Sequence, residues 1–339
     1  MKFILERIPI SVEALQKVYK EEIPVYLKKF FFALGGTPMI LFCIQAATGI
    51  LLTFYYIPSV EHAYSSVKAI THDVPYGWLI RSIHAWTANL FIITIFLHLM
   101  RVYFTQAYRK PREITWVFGV GLLFMAVSFG FTGYSLVYDQ LAYWAMIVGT
   151  NIAGSFPLVG NLLLNFVRGG TEVTANTLTR LYAFHVGGLP TVFFLLLVGH
   201  IVLIRLHGIA KPAKDSGKTY HFFPEHFLIE TAMALGVFLI ILWLAILFPA
   251  HLGEPASPFD TPAHIKPEWY FFPAFRWLKI ASKEVGILGM VLFPILITLW
   301  PFIEAVLEKK WPKVSWNKIM GIPVFMLIFG LGIWEALSH

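Results

Sequence analysis

The sequence predicts an all-α integral membrane protein with seven transmembrane helices. Three observations carry that reading. Of 339 residues, 58% are hydrophobic and only 13% charged, against about 25% charged in an ordinary soluble domain. Mean hydropathy is +0.70. Long uncharged stretches recur at the length a bilayer core demands, about 20 residues in helical form. A soluble enzyme, a disordered chain and a nucleic-acid reader are excluded, because none could cover so much apolar surface with so few polar groups.

The predicted spans are Phe30–Ile57, Ser82–Met100, Ile114–Tyr138, Leu181–Ile204, Thr231–His251, Val285–Ile303 and Ile319–Trp334. Residues 1–29 carry charges throughout and offer no clean apolar run, so they do not form a secretory signal. Phe3, Ile4, Ile8, Val12, Leu15 and Tyr19 suggest an amphipathic helix lying at the interface. The N-terminal segment and the loops after spans two, four and six hold 18 of the 26 Lys and Arg. The positive-inside rule then places the N-terminus on the cytoplasmic side and the C-terminus outside. The excess of basic over acidic residues thus sets topology and does not grip nucleic acid. Two long loops, 139–177 and 252–284, fall on the outer face, where ordered loops tend to carry function. The lone cysteine, Cys43, allows no disulfide or thiolate cluster.

Four histidines fall inside spans: His84 and His98 on the second, His185 and His200 on the fourth. Ionisable groups at membrane depth are costly and need a reason. At about 100° per residue, an interval of 14 returns to within about 40° of the same face, and one of 15 to within about 60°. Each pair spans about 21–22 Å along its helix. Both spans start on the outer side, so His84 is expected to face His185 near the outer surface and His98 to face His200 near the inner one. Facing imidazoles suit the two axial positions of a haem iron. The first four spans are therefore expected to form a dihaem four-helix bundle. Hydrogen-bonded core histidines would be the bland reading of any single one, but four at matched depth argue against it. Bare-metal binding is disfavoured by two ligands per site and no nearby Cys or carboxylate.

Gly35 and Gly49 on the first span, and Gly119 and Gly133 on the third, repeat the 14-residue interval. Glycine lets a flat macrocycle press against helix backbone. Arg81 and Arg180 precede the outer histidines and could pair with haem propionates. Arg205 follows His200 and could serve the inner haem or a quinone. In the second outer loop, Glu268 of Pro267-Glu268-Trp269-Tyr270 lies among aromatics and prolines. A carboxyl in such dry surroundings has a raised pKa and can accept a proton from a bound hydroxyl.

These residues resemble cytochrome b of the Rieske/cytochrome b complexes over nearly the whole chain. The resemblance is carried by Gly35-Gly36 through Gln45-Ala46-Ala47-Thr48-Gly49, Arg81-Ser82-Ile83-His84, and Lys110-Pro111-Arg112-Glu113. It continues through Gly130-Phe131-Thr132-Gly133-Tyr134, Thr177-Leu178-Thr179-Arg180 and Pro267–Tyr270. The 15-residue interval and Tyr134–Gln140 are similar to the plastoquinol–plastocyanin reductase branch, whose four-helix and three-helix chains look fused here near 210–225. No eighth span, as in the mitochondrial branch, is expected. Residues 30–210 would be the dihaem domain and 211–339 a three-helix domain carrying the outer quinol loop.

The resemblance implies quinol oxidation at the outer face, one electron going to a Rieske iron–sulfur protein and the other through two b-type haems to a quinone at the inner face. It implies that His84 and His185 ligate the outer haem and His98 and His200 the inner. Glu268 would take a quinol proton, with Tyr270 and the Tyr138–Ile152 stretch shaping the pocket. Arg205, His207 and Glu225 would lie at the inner quinone site. A c-type cytochrome or similar acceptor, a homodimeric complex and an energy-transducing, most simply bacterial plasma, membrane are further implications. In the photosynthetic branch a cysteine on the first span often anchors an extra haem, but Leu41 holds that place here. Cys43 lies about 200° round the helix from it, so no covalent haem is expected there. That branch also commonly has Arg after the first ligand, where this chain has Ala85. The alternative reading is a dihaem membrane anchor of another oxidoreductase with a single quinone site, which would not need the outer carboxylate loop. A transporter without redox chemistry is the third.

Overall fold

The computed structural model describes residues 21–28, 34–212, 215–262 and 265–338. Six helices among these are long and apolar enough to cross a membrane. They are α3 (Gly77–Phe104), α4 (Glu113–Ser135), α7 (Ala175–His207), α8 (Phe222–Leu247), α10 (Lys283–Lys310) and α11 (Trp316–Leu337). The first predicted span is represented by the shorter apolar helix α1, Thr37–Thr53. Almost none of the apolar stretch of α7 or α8 is buried within the chain. Helices that are apolar all round and left uncovered belong in lipid or against partner subunits.

Short helices complete the order: α2 (Ala63–His72), α5 (Gln140–Gly154), α6 (Gly160–Arg168) and α9 (Phe272–Ile280). The first outer loop is thus largely helical. Asp139 caps α5 by accepting from Ala142 N at 2.9 Å, an acceptor for one of the free amides at a helix start. Arg168, 5% exposed, ends α6. It binds Thr150 Oγ1 at 2.7 Å, Ile147 O at 2.9 Å and Asn151 Oδ1 at 2.9 Å on α5. The guanidinium therefore holds the two outer helices together with fixed fork geometry.

The expected N-terminal helix at Phe3–Tyr19 lies outside the described residues. Just beyond it the backbone is extended. Strand β1 (Glu22–Pro24) pairs antiparallel with β2 (Thr219–His221), Ile23 opposite Tyr220. The N-terminal segment is therefore tied to the start of the three-helix part, a pairing that no local sequence signal announces.

Helix α7 starts earlier than the predicted Leu181. It continues through a π turn, Phe184–Gly188, before regular α-helix resumes at Leu189. Leu189 N bonds Phe184 O, five residues back. A π turn absorbs one extra residue without breaking the helix. Its place between His185 and the C-terminal turns makes the 15-residue interval to His200 act as one of 14, matching His84 to His98.

Buried charges tie the helices at both ends of the bundle, and one of them joins the two halves. On the inner side Glu304 of α10, 1% exposed, accepts from Tyr108 Oη at 2.6 Å, Asn317 N at 3.2 Å and Arg109 Nη2 at 3.3 Å. Arg109 also reaches Glu308. On the outer side Glu335 of α11 is fully buried and accepts from Lys279 Nζ at 2.7 Å and Arg276 Nη1 at 3.5 Å, both on α9. Arg276 also lies 3.8 Å above the Trp334 ring. Charges in such surroundings persist only when paired. Glu304→Leu is expected to strand three donors and destabilise the protein by about 3–5 kcal/mol. The readout is a lower thermal-unfolding midpoint in detergent, with Glu304→Gln losing less because it keeps an acceptor oxygen.

Candidate functional site

The four histidines converge as the spacing predicts. His84 and His185 face each other with ring centres 6.3 Å apart. Two metal–imidazole bonds of about 2 Å each, added to the distance from each ring centre to its outer nitrogen, span about that separation. His98 and His200 line one cavity of about 290 Å³ together with Gly35, Gly119, Arg101 and Tyr108. No group of three or more His, Cys, Asp or Glu placed to hold a bare metal ion occurs among the described residues.

Each imidazole is fixed through its Nδ1. His84 Nδ1 lies 2.9 Å from Thr48 Oγ1, and His185 Nδ1 2.9 Å from Thr132 Oγ1. His200 Nδ1 lies 3.0 Å from Thr115 O, and His98 Nδ1 3.5 Å from Arg101 Nη2. None of the four Nε2 atoms has a hydrogen-bond partner among the described residues. A carbonyl can only accept, so His200 carries its proton on Nδ1 and presents a lone pair at Nε2. An Nε2 lone pair on each side of an apolar gap is the donor set that an axially ligated haem requires.

The glycines answer to the histidines, one each. A Cβ at Gly35 would lie 3.3 Å from His98 Cε1, at Gly49 3.3 Å from His84 Cε1, and at Gly119 3.3 Å from His200 Cε1. At Gly133 it would lie 2.6 Å from His185 Cε1. The nearest neighbour of each glycine is the edge of an imidazole. Glycine lets the ring lie back against the wall, Gly49 on α1 and Gly35 in the turn before it for the α3 pair, and α4 for the α7 pair.

The arginines sort differently from their sequence positions. Arg81 donates to Ala250 O at 2.8 Å and His251 O at 2.6 Å, stapling α3 to the loop after α8. Arg180 donates to Phe166 O at 2.8 Å. Arg205 is exposed and paired with Glu21 at 3.0 Å, and Glu225 pairs with Lys28 at 3.2 Å. The structure instead brings Arg101 into the inner cavity. The sequence reading did not single it out, yet it follows His98 by three residues, which is one helical turn and the same face. Leu41 is fully buried, whereas Cys43 is exposed on the other side of α1.

The outer carboxyl lies where both halves meet. The Glu268 side chain makes no hydrogen bond among the described residues. Burial, and then the negative charge of Asp139, raise its pKa. Burial and the nearby Glu268 likewise raise that of the Tyr270 phenol. Tyr270 Oη sits 2.6 Å from where a Cβ at Gly130 would stand, so Gly130 admits the tyrosine one turn from the glycine that admits His185. Trp269 Nε1 donates to Asn89 Oδ1 of α3 at 2.5 Å. Asp139 Oδ2 accepts from Gly253 N at 3.1 Å, and Gln140 Oε1 from Ser257 N at 2.6 Å. The two outer loops are therefore clasped at Asp139-Gln140, with Tyr138 buried beside them.

Comparison with known proteins decides the family. Residues 19–208 match the family model described as cytochrome b/b6/petB, and residues 255–337 match cytochrome b(C-terminal)/b6/petD. The chain belongs to the cytochrome b family. It is 39% identical over 337 residues to the cytochrome bc complex cytochrome b subunit of Chlorobaculum thiosulfatiphilum, covering 95% of this chain and 78% of that one. Cytochrome b6 of Heliomicrobium gestii is 43% identical over 212 residues, 62% of this chain and the whole of that one. A solved structure described as hyperthermophilic respiratory complex III matches with a TM-score of 0.78 and 29% identity, covering 98% and 96% of the two chains. This cytochrome b is thus a subunit of a bc-type oxidoreductase complex, with the b6-like part and the C-terminal part in one polypeptide. It is a multi-span membrane protein of electron transport, in a family that binds b-type haems.

Gly133→Ala is expected to displace His185 and lower occupancy of the outer haem while the inner haem stays. Gly49→Ala, where the added methyl meets the ring less closely, is expected to cost less. The reduced α-band of each haem in the purified complex measures both.

Proposed function

We propose that this cytochrome b oxidises quinol at the outer face and reduces quinone at the inner face, moving electrons across the bilayer and contributing to a proton gradient. The observation that carries the reading is the His84–His185 pair, with both Nε2 atoms unpartnered among the described residues, together with a half-buried outer carboxyl at Glu268. Two bound haems would relay single electrons between the faces. His84 and His185 hold the outer one, and His98 and His200 the inner. Gly35, Gly49, Gly119 and Gly133 give those rings room. Arg101 is the cation placed to meet an inner propionate. Arg81 and Arg180 serve the outer haem from their places at the outer ends of α3 and α7, and Arg205, His207 and Glu225 border the inner quinone site.

Glu268 takes one of the two quinol protons on its carboxylate oxygen, and Tyr270 and the Tyr138–Ile152 stretch shape the pocket. Electrons leave to a Rieske iron–sulfur protein, and beyond it to a c-type cytochrome or similar acceptor, in a homodimeric complex of an energy-transducing membrane. A bacterial plasma membrane fits the loop charges, with seven spans, the N-terminus inside and the C-terminus outside. Residues 1–29, 30–210 and 211–339 form the inner-face segment, the haem domain and the quinol-loop domain. No covalent haem is assigned to Cys43.

His98→Leu or His200→Leu is expected to remove one of two b-type haems, seen as half the haem per protein after extraction. A base must be deprotonated to accept a proton, and the Glu268 carboxyl keeps its proton to a higher pH than an ordinary carboxyl. Quinol oxidation should therefore rise with pH through that raised pKa. Glu268→Gln should slow oxidation by about 10²- to 10⁴-fold, the contribution of a general base, flatten the pH profile and leave both haems in place. An unchanged rate removes Glu268 from the mechanism.

A further inference from the structure

The two histidine pairs differ in the groups that hold their Nδ1 atoms, and the difference tracks a repeated dipeptide. On the outer side each wall helix carries Thr-Gly: Thr48-Gly49 on α1 and Thr132-Gly133 on α4. Within each dipeptide the glycine admits the ring and the threonine binds its nitrogen. On the inner side the glycines follow Leu34 and Phe118, which have no hydroxyl.

The direction of the outer hydrogen bonds is set by the single proton of a hydroxyl. Thr48 Oγ1 donates to Ile44 O at 2.7 Å, and Thr132 Oγ1 to Ser128 O at 2.8 Å. With that proton committed to the helix carbonyl four residues back, each Thr oxygen can only accept from imidazole. Both outer rings therefore carry the proton on Nδ1, share it between that hydroxyl and a backbone carbonyl, Gln45 for His84 and Phe129 for His185, and offer Nε2 as the free base. Thr48 is 8% exposed and Thr132 6%, so no bulk water competes for these bonds. The inner pair has no hydroxyl at either Nδ1. His200 donates to a backbone carbonyl, and His98 lies beside the Arg101 guanidinium. Arginine has no acceptor and cannot take the Nδ1 proton; its contribution is positive charge.

We propose that Thr48 and Thr132 are positioning residues that make both outer imidazoles stronger electron donors and so hold the outer haem harder to reduce than the inner one. A ligand imidazole that donates its second N–H becomes more basic toward iron, which favours the oxidised metal. Arg101 acts in the opposite sense at the inner site, because a cation favours an added electron. The electron is thereby biased inward by side-chain groups that are not themselves iron ligands. This inference rests on reading His84 and His185 as haem ligands, and the experiment separates the two.

The test is a potentiometric titration of the purified complex with optical readout of both b-haems in Thr48→Val, Thr132→Val and Thr48→Ser. Each valine is expected to ease reduction of the outer haem about tenfold in equilibrium constant, about 59 mV for one electron, with the inner haem unmoved. Serine, which keeps the hydroxyl, is expected to leave the outer midpoint near that of the parent. An unmoved outer midpoint in both valine variants overturns the proposal, as does a serine variant that shifts as far as valine. If both valine variants lose the outer haem, serine decides. Haem retained at the parent midpoint supports the hydroxyl, and haem lost or shifted overturns it. A parent complex without a haem at His84 and His185 would fail the ligand reading itself.

Discussion

An imidazole inside a bilayer must satisfy both of its nitrogens without water, and the helical bundle is arranged around that constraint. Each of the four histidines turns Nδ1 to a neighbouring group of the protein and leaves Nε2 without a hydrogen-bond partner among the described residues. A fixed ring orientation results, and for His84, His185 and His200, whose Nδ1 meets an acceptor, the tautomer that can bind iron. The glycine interval is a consequence. Only a wall residue without a Cβ lets the ring settle where its Nδ1 reaches the helix behind it. The π turn is another consequence, since it brings His185 and His200 onto one face despite the extra residue between them.

The second requirement is that the two halves of the chain meet at both membrane faces. They do so through buried polar groups placed where the apolar slab ends. On the inner side Glu304 collects Tyr108, Arg109 and Asn317. On the outer side Arg81 reaches Ala250 and His251, and Asp139 reaches Gly253. Lipid contacts are nearly equivalent for any apolar helix face, so they fix no register. Directional polar contacts do. The Glu268–Tyr270 turn is held by one half and inserted against the other, at Asn89 and Gly130. The surroundings of Glu268 and Tyr270 are therefore a product of docking, and neither half contains them alone.

The sequence by itself determined the membrane class, the approximate spans and the matched depth of four histidines. These come from hydropathy and helical period, which are local and one-dimensional. Even the glycine partners were legible as an interval, though not as neighbours of particular rings. Only the tertiary structure decided the rest. The 15-residue spacing needed a π turn that no residue type specifies. Arg101 and Arg205 look alike in sequence, since both follow a histidine near the inner end of a span. Arg101 falls one turn from His98 and lines the cavity, while Arg205 turns outward to Glu21. The β1–β2 pairing, the Asp139 clasp and the burial of Glu304 and Glu335 join residues more than 50 positions apart in the chain. Such contacts depend on how whole helices pack, and a local pattern carries no information about which distant partner will arrive.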